Sequence, residues 1–347
     1  MHAFLSSLIS DWPWQAIAGV MVVSILALGK GADRLVEDAV KLSLRWGMPR
    51  VVVGATIVSL GTTTPEAVVS VMAAFQGRPD MALGNAVGSI ICDTGLILGI
   101  GCLIAPLPID RQLANRQGWM QFASGVLLVA LCVPWTNLGA TFVNGGTLTQ
   151  VGGWLLIGLL AVYMVWSIRI ARTAPDTEEL NRCEESGAAK ILFSVLVAVI
   201  IVVAASSCLI ATAEELAVRI HVPPSIIAAT LVAFGTSLPE LTIVVTATLK
   251  GQGELAIGNV IGADILNVLF VAGAAAAVTP QGLGANVHFF HMQFPAMLFV
   301  LIVFRIGIWT AKDGTLRRGF GFVLLGTYVA VTAISILVSG SEMAGGH

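Results

Sequence analysis

Ten apolar runs of about twenty residues dominate this 347-residue chain, at roughly 13–36, 50–75, 80–105, 118–135, 150–170, 190–217, 223–249, 254–279, 291–310 and 317–338. At about 1.5 Å of rise per residue, each is long enough to cross the hydrocarbon core of a bilayer as a helix. Inside lipid the backbone has to satisfy its own hydrogen bonds, so runs of this length are restricted to a helical bundle. Composition agrees: 56% of the residues are hydrophobic and only 11% charged, where a soluble domain carries about 25% charged residues. A soluble chain of this size would need far more polar surface to cover its core. The expected fold is an all-α integral membrane protein with ten transmembrane helices.

The cations give these spans a direction. Sixteen of the eighteen Lys and Arg residues lie in or beside the segments that follow runs 1, 3, 5, 7 and 9; only Arg78 and Arg219 fall in the other set. The positive-inside rule assigns the cation-rich set to the cytoplasm. Both termini then face outside, as expected for a multi-pass protein of the cell (inner) membrane. The one long polar stretch, 172–190, carries Glu178, Glu179, Glu184 and Glu185. It reads as a cytoplasmic linker between a five-helix half at 1–171 and a second at 191–347. A net charge of −2 leaves no basic footprint for nucleic acid. Cys92, Cys102, Cys132, Cys183 and Cys208 have no metal-ligand spacing and read as small apolar residues. No nucleophile–base pair suggests an enzyme, no cofactor is implied, and membrane lipid is the expected surrounding, without an obligate protein partner.

The two halves repeat each other. Residues 54–66, GATIVSLGTTTPE, resemble 228–240, AATLVAFGTSLPE, and 84–93, GNAVGSIICD, resemble 258–267, GNVIGADILN. Both pairs are 174 residues apart, and residues 54–99 share 16 identities with 228–273 over 46 ungapped positions. A bias toward Gly, Ala and Val does not place Pro65/Pro239, Glu66/Glu240 and Asn85/Asn259 in register. The offset covers five spans, an odd number, so the second motif (228–275) enters the membrane from the opposite side to the first (54–101). Inverted repeats of this kind hold substrate near the midplane of secondary transporters.

The repeated residues suit a cation. Gly61, Pro65 and Glu66 interrupt the second span, and Gly235, Pro239 and Glu240 the seventh. Proline removes a backbone donor and glycine relaxes the chain, which is tolerated at membrane depth only inside protein or along a watery cavity. The breaks offer the hydroxyls of Thr62, Thr63, Thr236 and Ser237, and a carboxylate follows each. Two buried carboxylates repel unless something positive lies between them, and neither Lys nor Arg occupies spans 2, 3, 7 or 8 at this depth. Calcium favours 6–8 oxygen ligands, carboxylates among them. Asn85, Ser89 and Asp93 share one helical face, as do Asn259, Ala263 and Asn267. Gly84/Gly88 and Gly258/Gly262 are small-residue pairs that let helices approach closely. Asp264, three residues before Asn267, reads as a ligand, a proton carrier or a bridge to another helix.

These paired motifs, GTTTPE with GNAVGSIICD and GTSLPE with GNVIGADILN, resemble the signature repeats of the calcium/cation antiporter superfamily, in its sodium/calcium exchanger branch. The resemblance implies an acidic pair at Glu66 and Glu240. It implies hydroxyl ligands at Thr62, Thr63, Thr236, Ser237 and Ser89, backbone-carbonyl ligands at Ser59 and Ala233, and an Asn/Asp pair at Asp93 and Asn267. That last pair is reversed between the halves relative to the exchangers it resembles. The implied activity is exchange of calcium for sodium by alternating access, with calcium and sodium as the transported ions. Proton-coupled exchange of a divalent cation, for which Asp93 and Asp264 supply extra acids, and a passive cation channel are the other readings.

Overall fold

The computed structural model describes residues 12–136, 138–171, 188–219, 235–311 and 313–344. Most of the 172–190 linker, Cys183 and Ala233 therefore lie outside the described residues. Among the described residues, seven helices are long and apolar enough to cross a membrane: α1 (Trp14–Trp46), α4 (Pro79–Ile104), α6 (Gln150–Ala171), α7 (Ala188–Arg219), α9 (Gly253–Ala277), α10 (Phe289–Thr310) and α11 (Arg318–Ala344). Helices α2 (Arg50–Thr62) and α3 (Thr64–Phe75), bent by 44° at Thr63, are together long and apolar enough to count as an eighth. The two remaining apolar runs coincide with α5 (Arg111–Cys132), whose sequence mixes Arg, Asn and Gln among its apolar residues, and with α8 (Leu238–Leu249). Residues 220–234, ahead of α8, lie outside the described set.

Helix α1 continues ten residues beyond the apolar run that ends at 36. Its last three turns keep a narrow buried face, with Ala39 and Leu42 fully enclosed, and add ion pairs beside it. The buried Asp38 carboxylate meets Arg34 at 2.8 Å and Lys41 at 3.2 Å, and accepts a hydrogen bond of 2.5 Å from Ser194 Oγ on α7. The helix stops where Gly47 turns left-handed, at φ 59°, and Met48 N–H reaches back to Ser43 O, an ending that favours glycine. Asp33 and Glu37 pair with Lys250 at 3.1 and 2.9 Å.

The expected all-α fold needs one amendment. Strands β1 (Leu107–Pro108), β2 (Gly146–Leu148), β3 (Leu283–Ala285) and β4 (Thr315–Leu316) form two antiparallel ribbons, β1 with β4 and β2 with β3. The ribbons tie the loop after the third apolar run to the loop after the ninth, and the loop after the fourth to the loop after the eighth. Each pair therefore lies on one side of the bundle, the same grouping that the cation pattern produces.

At the centre, α9 has 89% of its span buried, against 17% for α11 at the periphery. It crosses α2 at backbone contact. A Cβ on Gly54 would stand 2.6 Å from Leu255 O, and one on Gly262 would stand 2.5 Å from both Ala55 O and Ser59 Oγ. A Cβ on Gly258 would overlap Val51 O. These three glycines bring the broken span against the helix that carries Asn259, Asp264 and Asn267.

Candidate cation site

Each repeat builds its break in the same way. Thr63 ends α2 and starts α3, with Pro65 and Glu66 in the first turn; Ser237 precedes α8, with Pro239 and Glu240 in the first turn. Proline tolerates this place because the first-turn N–H lacks an intrahelical acceptor anyway. The carboxylate then sits at the positive end of a half-helix, where the macrodipole favours a negative charge. Both carboxylates are 1% exposed.

The breaks are crossed. Thr63 Oγ1, from the first repeat, donates to Glu240 Oε1 of the second at 3.3 Å, and Thr62 lies beside the same carboxylate. Thr236, from the second repeat, lies beside Glu66 of the first. Asp93 closes the group from α4 next to Ser237. Asn85 Nδ2 donates to Glu66 O at 3.4 Å and to Ser70 Oγ at 3.0 Å, so it fixes the backbone of the acidic residue. The structure thus brings together Glu66, Glu240, Thr62, Thr63, Thr236, Ser237 and Asp93. Ser89 lies one turn before Asp93 on α4, and Asn267 is buried on α9. Ala233 falls outside the described residues. Ser59 O already accepts bonds from Thr63 N at 2.8 Å and Thr62 Oγ1 at 3.3 Å. To serve an ion it has to release the Thr62 hydroxyl, which then becomes a second available oxygen.

Three wide, π-helical turns shape the site: Gly54–Val58 in α2, Cys92–Ile97 in α4 and Asn267–Ala272 in α9. Such turns gather at functional positions in helices. The second holds Asp93 at its start and the third begins at Asn267, so the reversed pair occupies equivalent geometry in both halves. Sequence reading missed these turns. It also missed Thr94, Gln117, Gln121 and Tyr163, which are buried around them; the i, i+4 spacing of the glutamines was masked by Gln112, Asn115 and Arg116 just before them.

The site is short of partners. Among the described residues, both Glu66 carboxylate oxygens, Glu240 Oε2, Asp93 Oδ1, Asp264 Oδ1, Thr236 Oγ1, Ser237 Oγ and Asn267 Oδ1 are buried without a hydrogen-bond partner. None of the four acids pairs with Lys or Arg among the described residues. Buried polar groups are ordinarily bonded, and a carboxylate at this depth costs at least about 2.5 kcal/mol. Among the described residues no three His, Cys, Asp or Glu side chains converge closely enough to chelate a metal alone, so hydroxyl and carbonyl oxygens would have to complete a cation shell.

The family model described as "Sodium/calcium exchanger protein" matches residues 16–169 and 190–337. The chain belongs to the sodium/calcium exchanger family. It is 29% identical over 323 residues to the inner membrane protein YrbG of Escherichia coli (strain K12), covering 91% of this chain and 95% of YrbG. It is 26% identical over 344 residues to the sodium/calcium exchanger MaX1 of Methanosarcina acetivorans, covering 91% and 97%. Its fold matches the solved structure of the sodium-calcium exchanger NCX_Mj soaked with 10 mM sodium and no calcium, with a TM-score of 0.77 over 92% of this chain and 99% of that one, at 23% identity. Exchanger-family membership makes the chain a multi-pass membrane transporter rather than a member of an enzyme class.

Proposed function

We propose that the chain is a secondary active antiporter that exchanges calcium for sodium across the inner membrane by alternating access. The observation that carries this reading is the crossed pair of buried acids, Glu66 and Glu240, each beside the hydroxyls of the other repeat and neither paired with a base among the described residues. A divalent cation neutralises two carboxylates at once, and several sodium ions can use the same hard oxygens. Competition between them for one site couples the two fluxes. The ligands proposed are Glu66, Glu240, Asp93 and Asn267, the hydroxyls of Thr62, Thr63, Ser89, Thr236 and Ser237, and the carbonyls of Ser59 and Ala233.

The finer architecture belongs to the same proposal: ten transmembrane helices in two inverted halves, 1–171 and 191–347, joined by a cytoplasmic linker at 172–190, with both termini outside. The two matched family stretches stop and restart on either side of that linker, and the crossed loop ribbons support the alternation of sides. The test is calcium uptake into sodium-loaded proteoliposomes diluted into sodium-free buffer. Uptake that requires internal sodium supports the proposal. Uptake indifferent to sodium and driven by a pH gradient refutes sodium coupling and selects protons, for which Asp93 and Asp264 are the extra acids.

A further inference from the structure

Helix α5 lies outside both repeat motifs, yet two of its glutamines reach the wide turns of the site. Gln121 donates from Nε2 to Thr94 Oγ1 at 3.1 Å and to Asp264 Oδ2 at 2.5 Å. Thr94 Oγ1 donates to the same Asp264 oxygen. All three residues are at most 1% exposed. Thr94 directly follows Asp93 in the turn Cys92–Ile97, where Leu98 N–H reaches Asp93 O, five residues back. One α-turn before Gln121, Gln117 stands 3.3 Å from the Tyr163 hydroxyl, which in turn lies 3.2 Å from Ala55 O. Ala55 belongs to the other wide turn, where Ser59 N–H bonds Gly54 O and passes over Ala55 O. The Tyr163 hydroxyl has one proton for these two acceptors. It goes to Ala55 O when Gln117 turns its amide nitrogen toward Tyr163, which also gives Gln117 Nε2 a partner.

A wide turn has no intrinsic preference for its register over the ordinary α-turn, so something outside the helix has to hold it. We propose that Asp264, Thr94 and Gln121 form a positioning brace that fixes the wide turn and so aims the Asp93 carboxylate at the transported ion. This rests on the exchange reading above and adds to it a role for residues outside the ion shell. Asp264 acts as a hydrogen-bond acceptor that joins α9 to α4 and α5. Gln121 is the hub, and Gln117 extends the same support to α2 through Tyr163. What the brace needs from residue 264 is one oxygen that accepts two bonds. An amide oxygen meets that need as well as a carboxylate does, whereas an ion ligand or a proton carrier needs the acid.

The experiment compares sodium-driven calcium uptake by wild type, Thr94→Val, Asp264→Leu, Asp264→Asn and the double variant Thr94→Val/Asp264→Leu in proteoliposomes. Thr94→Val and Asp264→Leu are expected to raise the KM for calcium about three- to tenfold, the size of one or two hydrogen bonds, with the maximal rate within about twofold. The double variant adds little, because both changes cut one network. Asp264→Asn returns KM to near the wild-type value. Asp264→Asn as defective as Asp264→Leu overturns the positioning role and assigns the charge itself a function. Unchanged KM in both Thr94→Val and Asp264→Leu, or a loss of maximal rate alone, also overturns it. Where Asp264→Leu does not fold, Thr94→Val and Gln121→Met carry the same test. A wild type without sodium-dependent uptake overturns the exchange reading, and the brace's role in transport with it; a competent wild type with unaffected variants overturns the brace alone.

Discussion

Gly262→Ala adds a single methyl group where α9 crosses the broken span. That methyl would stand 2.5 Å from Ala55 O and from Ser59 Oγ, whereas ordinary contacts begin at 3.4 Å. About 0.9 Å of separation therefore has to open between α2 and α9, because the Ala55 contact is with backbone and turning the Ser59 hydroxyl aside does not relieve it. Overpacking of this kind costs about 1–3 kcal/mol. It also moves Ser59 and the hydroxyls of Thr62 and Thr63 that follow it, in a site whose geometry tolerates only about 0.5 Å. The expected result is a lower thermal midpoint of the purified protein in detergent and at least a tenfold fall in sodium-driven calcium uptake. Gly158→Ala on α6 is the control: a Cβ there meets nothing within 4 Å, and exchanging a helical glycine for alanine gains up to about 1 kcal/mol. A Gly262→Ala protein with wild-type midpoint and wild-type uptake would refute the backbone contact between α2 and α9.

Other expectations concern charge. Glu66→Gln and Glu240→Gln should each abolish calcium uptake while leaving the ion-free thermal midpoint equal to or above that of wild type, because each removes a buried charge without a base; a fall in midpoint with transport retained would contradict both roles. Calcium at about one hundred times its dissociation constant should stabilise the wild type by about 2.7 kcal/mol, chelation should reverse this, and neither glutamine variant should show it. Lys250 lies in the loop between α8 and α9, where Glu37 and Asp33 hold its ammonium above its ordinary range. A raised folded value means that this stabilisation is complete below the unfolded value of about 10.4 and is lost as pH rises through the folded one. Lys250→Met should therefore lower the midpoint at neutral pH by the equivalent of at most about 1 kcal/mol, and the difference from wild type should vanish in strongly alkaline buffer; a difference constant with pH would exclude the ion pairs as its cause.

The parts of the site legible in the sequence are those that change composition. Proline, glycine and glutamate inside an apolar run announce a break, and an identical break 174 residues later announces a second. The wide turns at Cys92–Ile97 and Asn267–Ala272 change no composition. They insert one extra residue into mostly buried helices, and a slip of one residue leaves hydropathy unchanged. For the same reason the role of Asp264 stayed open: its partners Thr94 and Gln121 come from two other helices, and spacing along α9 says nothing of them. Helix α1 outran its apolar stretch because Ala39 and Leu42 continue its buried face while Asp38 pairs with Arg34 and Lys41 at i, i+4 and i, i+3, a stabilisation that hydropathy does not register. The ribbons were missed because two or three residues are too few to show a strand's alternation.

The unpaired acids also bear on why such a site should exchange ions rather than leak them. Emptied of both ions and protons, it would hold Glu66 and Glu240 charged, each 1% exposed, with no base beside them among the described residues. One such charge costs at least about 2.5 kcal/mol at bilayer depth, and two like charges near each other add repulsion. An ion-free carrier passing through an occluded state with both acids unprotonated incurs that cost, while one loaded with calcium or with sodium does not. Each 2.5 kcal/mol slows the empty transit about seventyfold. Coupling then requires no device that senses the counter-ion, because the unfilled site is its own barrier. A channel built around the same pair has no occluded state to cross, so its calcium flux would be indifferent to sodium on the far side. Calcium flux measured at one fixed gradient, with and without sodium opposite, therefore separates the two: acceleration by sodium follows from the electrostatics, and indifference would mean that the acidic pair is never occluded during transport.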